Sequence, residues 1–332
     1  MSRVTVLGAG AWGTTLSQVL SDAGHEVLLW GRNHEIVSEI NEQNQNSKFL
    51  PGVTLPADIT ATSVIERAFE FSDSLILSIP AQTLRENLKN WKSIFPTDRP
   101  VISTLKGIEA ASYSRMTEIL VEEIAIELSL IGLITGPNLA GELSLRQPAG
   151  AVAAAINPAI SQLIIDLFTT PYFRIYPSDD LVGCELAGAA KSVIALAVGM
   201  AIGLDLGENT QAMIITRGLS EVSRFGAGYG AKPLTNLGLA GMGDLVASCG
   251  SSLSRNRTFG EYLGRTGSIS ATRDQYAKTV EGVASASAIL ELAHRVGVEV
   301  PIIEVVSDVV NHGLSPKAGM ERLMTVSLAA EN

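Results

Sequence analysis

Residues 8–13 read Gly-Ala-Gly-Ala-Trp-Gly, a G-x-G-x-x-G hexamer between the short β-rich run RVTVLG and the stretch TTLSQVLSDAGH. In that stretch Leu16, Val19 and Leu20 recur at helical spacing, and Gly24 stands where a helix C-cap is expected. In such a turn Gly8 permits the tight reversal and Gly10 lets the backbone approach a pyrophosphate. Gly13 allows the helix to pack closely on the strand, and the helix N-terminus favours an anion. The hexamer alone is a weak signal. With a strand before it, a helix after it and the next strand, EVLLWG, on schedule, it reads as a dinucleotide-binding turn rather than a bare glycine turn.

The same alternation continues. SLILSIP, PVISTLKG, LIGLITGP and GAVAAAI are short apolar strands separated by helical stretches, which implies a mostly parallel sheet covered by helices on both faces. The pattern changes at YPSDD (176–180), read as a turn cluster around Pro177. Beyond it, GCELAGAAKSVIALAVGMAIG, NTQAMIITRGLSEVSRFG and SASAILELAHRV all have helical spacing. The expected fold is therefore α/β: an N-terminal Rossmann-type doubly wound domain over residues 1–178 and an all-helical domain over 179–332. The polar stretch NEQNQNS (41–47) reads as a surface loop without chemistry.

Composition narrows the function. The chain of 332 residues carries 34 acidic against 24 basic side chains, a net charge of −10, which argues against nucleic acid or an acidic membrane surface as partner. Cys184 and Cys249 form neither a disulfide framework nor a zinc pattern, and the four histidines have no ligand spacing. The N-terminus shows no basic segment followed by a removable apolar one. The longest apolar run, Val193 to Leu204, falls short of a membrane span, so a cytoplasmic protein is expected.

Three places offer chemistry. After the second strand an NAD site presents Asp or Glu to the ribose. Here Trp30, Gly31, Arg32 and Asn33 supply no acid. A guanidinium at Arg32 suits a 2′-phosphate, which favours NADPH, while Glu35 keeps NADH open. Lys106 follows a buried strand, at the edge where doubly wound sheets bind ligands, although a plain surface lysine would look the same. Lys191 interrupts LAGAAKSVIALAVG with no acid three or four positions away; Glu185 lies about 120° round the helix. Such a lysine either snorkels to water or faces a cavity, where it would suit proton transfer. Farther on, Asp244 follows a glycine turn. Ser254 could cap a helix whose first turn holds Arg255, Asn256 and Arg257, which together make a phosphate cradle. The competing reading is two plain caps with solvated arginines.

The motifs GAGAWGT, FLPG, STLKG, GPNLAGE, GCELAGAAKSVIALAVGMAIGL, LAGMGDL, SRNRTFG and VEG stand in an order and spacing that resembles the NAD(P)-dependent glycerol-3-phosphate dehydrogenases of the soluble bacterial type. The resemblance runs over nearly the whole chain. It implies reversible reduction of dihydroxyacetone phosphate to sn-glycerol 3-phosphate for phospholipid synthesis; the large apolar helical domain, read by itself, suits a homodimer. The resemblance also implies Lys191 as the acid–base residue. The positions Lys106, Gly136, Asn138, Asp244, Ser254, Arg255 and Asn256 then hold substrate, together with Lys191. Gly8, Gly10, Ala11, Trp12, Gly13, Arg32, Lys106, Ala140, Arg255, Thr279 and Glu281 then meet the cofactor. Relatives often carry Ser or Thr at the position of Asn138 and Ser at that of Ala11. Two other readings stay open at this stage: a β-hydroxyacid dehydrogenase with a carboxylate substrate, and a catalytically silent NADPH sensor.

Overall fold

The computed structural model describes residues 1–276 and 280–325. The chain divides into two compact units, Met1–Lys106 with Arg115–Glu185, and Gly107–Ser114 with Leu186–Asn332.

The first unit alternates strand and helix. Its elements are β1 (Arg3–Leu7), α1 (Ala11–Asp22), β2 (Glu26–Trp30), α2 (His34–Gln43), β3 (Thr60–Thr62), α3 (Ile65–Phe71), β4 (Ser74–Leu77) and α4 (Leu84–Trp91). There follow β5 (Val101–Ser103), α5 (Met116–Ile124), β6 (Ile131–Thr135), α6 (Ala140–Ser144), β7 (Ala149–Ala154), α7 (Pro158–Phe168) and β8 (Phe173–Ser178). The strands form one sheet in the order β3-β2-β1-β4-β5-β6-β7-β8. Every neighbouring pair is parallel except β6 with β7.

Period-two alternation sends side chains to two cores. Val4, Val6, Val27, Leu29 and Ile76 join Leu16, Val19 and Leu20 of α1 on one face. Leu7, Trp30, Leu75 and Leu77 join Phe69, Leu84, Leu88 and Trp91 on the other. Both faces are covered, which is why these strands read as continuous apolar runs. Strand order reverses between β1 and β4, so a crevice opens there at the carboxyl ends. Pro177 lies within β8, an edge strand, rather than in a turn; an edge position tolerates a residue without an N–H.

Helix α8 (Leu181–Gly203) carries the chain into the second unit. After it come α9 (Glu208–Gly228), α10 (Pro233–Leu237), α11 (Asp244–Gly250), α12 (Arg255–Thr266), α13 (Ile269–Gln275), α14 (Glu281–Arg295), α15 (Pro301–Asn311) and α16 (Pro316–Thr325). By length and hydropathy alone α8 would suffice to cross a membrane, which the shorter apolar run in its sequence did not suggest. However, 89% of its apolar window is buried inside the fold, as befits a core helix. Close packing of α8 on α12 rests on glycine. A Cβ added at Gly199 would lie 2.1 Å from the Arg257 carbonyl oxygen, and one at Gly203 would lie 2.1 Å from that of Glu261. Both contacts advance four residues in the same sense, so the two helices run parallel with their backbones in contact.

The start of α15 is held by a buried acid. Glu221 of α9 accepts from the Ile302 N–H at 2.8 Å and from the Ile303 N–H at 3.3 Å, two donors that the helix itself cannot satisfy. Burial pushes its carboxyl up to about 7 from the ordinary 4.5, against the pull of those N–H groups and of Arg224 and Arg217. The folded chain thus keeps a proton that the unfolded chain releases between these values. The contribution of this group to stability therefore falls as pH rises from about 4.5 to about 7. Glu221→Gln, which does not titrate, should gain steadily in Tm relative to the wild type across that window. Melting curves whose separation stays constant with pH would contradict the assignment.

Candidate active site

The glycine turn follows β1 at the point where strand order reverses. Gly8 has φ +126°, which side chains rarely adopt, and a Cβ there would lie 2.5 Å from the Ser78 carbonyl oxygen beyond β4. A Cβ at Gly13 would lie 1.9 Å from the Gly8 carbonyl oxygen, so the helix is seated directly on the turn. Gly10 differs: a Cβ there meets open space, and Gly10 is the N-cap of α1 with no side-chain acceptor for the first turn. Room at the second glycine and uncapped N–H groups at a helix start fit a bound pyrophosphate. Ala11 and Trp12 are half-buried in that first turn.

Gly31 sits against the same turn; a Cβ there would lie 2.7 Å from that of Ala9. The next residue, Arg32, is exposed. Asn33 then caps α2, accepting from the Glu35 N–H at 2.8 Å and from the Ile36 N–H at 3.3 Å. Glu35 is thereby a first-turn acid of α2, where the helix dipole favours it.

Two further strand ends lie at the same edge of the sheet. Beyond β5, Lys106 Nζ donates to the Gly136 carbonyl oxygen beyond β6, at 3.0 Å. Asn138 Nδ2 donates to the Gly150 carbonyl oxygen at 3.0 Å, while Asn138 Oδ1 is buried without a partner among the described residues, an acceptor left for a ligand hydroxyl. Ala140 opens α6, and its carbonyl oxygen accepts from Thr15 Oγ1 of α1 at 3.3 Å. The GPNLAGE motif therefore lies beside the glycine turn.

In the helical unit, Lys191 does not snorkel. Its side chain is only 12% exposed, and its partners come from α11. Nζ lies 3.0 Å from Asp244 Oδ1 and donates to Ser248 Oγ at 2.7 Å; Ser248 Oγ in turn donates to Asp244 Oδ1 at 3.3 Å. Asp244 is the first residue of α11 rather than its cap, which is Gly243. Glu185 is engaged elsewhere: it pairs with Arg115 Nη1 at 2.8 Å and accepts from Thr117.

Ser254 caps α12, accepting from the Arg257 N–H at 3.4 Å. The first turn of α12 holds Arg255, exposed, and Arg257, whose Nη1 pairs with Glu261 at 3.4 Å and whose Nε is buried without a partner among the described residues. Basic groups at this end oppose the helix dipole, a conflict that a bound anion relieves. Asn256 Oδ1 accepts from the Gly282 N–H at 3.0 Å, which brings the start of α14 and Glu281 beside the cradle. A Cβ at Gly282 would lie 2.5 Å from the Ser192 carbonyl oxygen, so that start also packs on α8 next to Lys191. Lys191 is about two turns before Gly199, and the parallel packing of α8 and α12 places it level with the chain just ahead of Ser254. Cys249 lies in the field of Lys191 and Arg257, yet burial pushes its thiol up to about 12, so it is no nucleophile. Thr279, expected to meet the cofactor, lies outside the described residues.

Ser248 was not singled out from the sequence. Its only signal was a hydroxyl four residues after Asp244, on one helix face, and nothing in the pattern linked that face to Lys191. Asn46 was also passed over: it stands in the stretch read as a surface loop without chemistry, and that expectation is corrected. Asn46 is fully buried, with its amide in the glycine turn.

Comparison with known proteins identifies the family. Residues 3–161 match the family model for the NAD-dependent glycerol-3-phosphate dehydrogenase N-terminus, and residues 180–321 match that for its C-terminus. A glycerol-3-phosphate dehydrogenase (NAD(P)+) from Streptomyces avermitilis is 44% identical over 99% of this chain and 98% of its own. One from Thermobifida fusca is 45% identical over 100% and 99%. The crystal structure of glycerol-3-phosphate dehydrogenase from Coxiella burnetii superposes with a TM-score of 0.91 at 29% identity, covering 98% of this chain and 99% of that one. From its glycine turn to its lysine-bearing core helix, the chain belongs to the NAD-dependent glycerol-3-phosphate dehydrogenase family.

Proposed function

We propose that this protein catalyses the NAD(P)H-dependent, reversible reduction of dihydroxyacetone phosphate to sn-glycerol 3-phosphate, with NADPH preferred and NADH accepted. The observation that carries the reading is Lys191, a nearly buried amine held by Asp244 and Ser248 and level with the approach to a basic helix N-terminus. Residues 1–178 chiefly serve the dinucleotide and residues 179–332 chiefly the substrate.

When bound, the nicotinamide supplies the hydride that reduces the ketone carbon. Lys191 gives a proton to the carbonyl oxygen as negative charge develops there, and takes it back in the reverse direction. Asp244 and Ser248 orient the amine and fix its position. Ser254, Arg255, Asn256 and the first-turn N–H groups of α12 grip the substrate phosphate. That remote grip holds the reacting carbon in place and turns binding energy into orientation. Lys106 places positive charge at the sheet edge, with Gly136 and Asn138 beside it for substrate hydroxyl and carbonyl groups. Gly8, Gly10, Ala11, Trp12, Gly13, Lys106, Ala140, Arg255 and Glu281 meet the dinucleotide, and Arg32 its 2′-phosphate. The same reading places the enzyme in the cytoplasm as a homodimer that supplies phospholipid synthesis. The net charge of −10 supports the absence of nucleic-acid and membrane partners.

Lys191→Ala should lower kcat by about a thousandfold while the NADPH dissociation constant stays at its wild-type value. Stopped-flow turnover and a fluorescence titration measure the two; near-normal turnover would remove the proton-transfer role. Arg32→Ala should raise KM for NADPH by about tenfold and leave KM for NADH almost unchanged. Equal changes for both cofactors in a steady-state assay would dispose of the 2′-phosphate contact.

A further inference from the structure

Asn46 belongs to the most polar stretch of the chain, yet it has no exposed surface. Its Nδ2 donates to the Ala9 carbonyl oxygen at 3.1 Å and to Thr14 Oγ1 at 2.8 Å. Ala9 lies inside the glycine turn, and Thr14 is the residue whose N–H closes the first bond of α1, to the Gly10 carbonyl oxygen at 2.9 Å. One side-chain amide therefore ties both ends of the turn. Chemistry fixes its orientation: a carbonyl oxygen only accepts, so the nitrogen has to face Ala9.

The FLPG motif closes the loop that presents this residue. The Asn46 carbonyl oxygen accepts from the N–H groups of Phe49 at 3.2 Å and Leu50 at 2.8 Å. Gln45 bridges to Thr54, and the Leu55 N–H donates to the Asn44 carbonyl oxygen at 2.8 Å. Leu50 and Leu55 are buried, which anchors the loop to the unit. Asn46 Oδ1 is buried without a partner among the described residues. An apolar residue of similar shape would avoid that desolvation cost, so packing alone does not account for an amide here.

We infer that Asn46 is a positioning residue for the dinucleotide, setting the Ala9–Gly10 peptide so that the N–H groups of the turn converge on the pyrophosphate. The inference rests on the dinucleotide reading of that turn given above. Without the tether the Ala9 carbonyl oxygen loses its donor, and the peptide plane that carries the Gly10 N–H is free to tilt. Cofactor binding suffers, while the proton transfer and the phosphate grip, both in the helical unit, are untouched.

The test uses the full-length protein with Asn46→Ala, Asn46→Asp and Thr14→Val, plus Thr14→Ser, which keeps the hydroxyl acceptor. Fluorescence titration with NADPH should show an increase in Kd of about tenfold for both Asn46 variants and a smaller one for Thr14→Val. Thr14→Ser should match the wild type, and the Asn46→Ala, Thr14→Val double variant should be no weaker than Asn46→Ala alone. In steady state KM for NADPH should rise with Kd, while KM for dihydroxyacetone phosphate and kcat at saturating NADPH stay within about twofold of wild type. Wild-type Kd in the Asn46 variants would overturn the inference. So would proportional loss of all three kinetic constants with falling Tm, the mark of a merely structural role. If the Asn46 variants do not fold, an unchanged Kd in Thr14→Val overturns it equally. Failure of the wild type itself to bind NADPH would instead sink the dinucleotide reading beneath it.

Discussion

A charged amine on the face of an apolar core helix needs compensation, and the helical unit is arranged around that need. Lys191 stands among residues that are almost all fully buried, from Ala187 through Ala201. An isolated ammonium there would be prohibitively desolvated. The carboxylate of Asp244 and the hydroxyl of Ser248 answer it from a single face of α11, one turn apart. A buried ion pair of this kind adds little net stability compared with an apolar pair of equal volume. What it supplies is an amine whose position is fixed.

The remaining geometry of the unit depends on how closely backbones approach. Glycines at 199 and 203 on α8, and at 260 and 264 on α12, remove the side chains that would hold the helices apart. A Cβ at any of these four positions would lie within 2.4 Å of a carbonyl oxygen of the facing helix, so this register needs glycine at each of them. The register in turn sets the height of the basic first turn of α12 relative to Lys191. The sheet unit uses the same device, with Gly8 and Gly13 seating α1 on the turn at the strand reversal. In both units a helix N-terminus is brought to a defined place by contacts that only glycine permits, and each of these ends is suited to an anion.

Much of this was legible in the sequence because its signals are local. The hexamer at 8–13, the period-two runs of β1, β2 and β4, and Ser254 before a helix each declare themselves within a few residues. Lys191 was legible as an anomaly, a charge without a helical partner, but its partners 53 and 57 residues away were not. Asp244 looked like a cap because Asp after a glycine turn usually is one; the backbone enters α11 one residue earlier and frees the carboxylate. Pro177 pointed to a turn, yet an edge strand absorbs a missing donor. Asn46 was hidden most completely. Six polar neighbours made the stretch look solvated, and burial of one member depends on a turn 37 residues upstream in the chain.

An acidic protein that handles anionic ligands has to concentrate its positive charge. The net charge of −10 sets a repulsive background for a dinucleotide or a phosphoester, so encounter relies on local fields. Cations suited to that task are Arg32 and Lys106 at the carboxyl edge of the sheet, and Lys191, Arg255 and Arg257 in the helical unit, reinforced by helix ends. Most are restrained rather than free. Lys106 is tied to the Gly136 carbonyl oxygen, Lys191 to Asp244 and Ser248, and the Arg257 guanidinium to Glu261. A restrained cation loses little entropy when an anion arrives and discriminates by position as well as by charge. The acidic background then weakens every polyanion that cannot reach those points, so an overall charge opposed to the ligands sharpens selection between small phosphates and large ones.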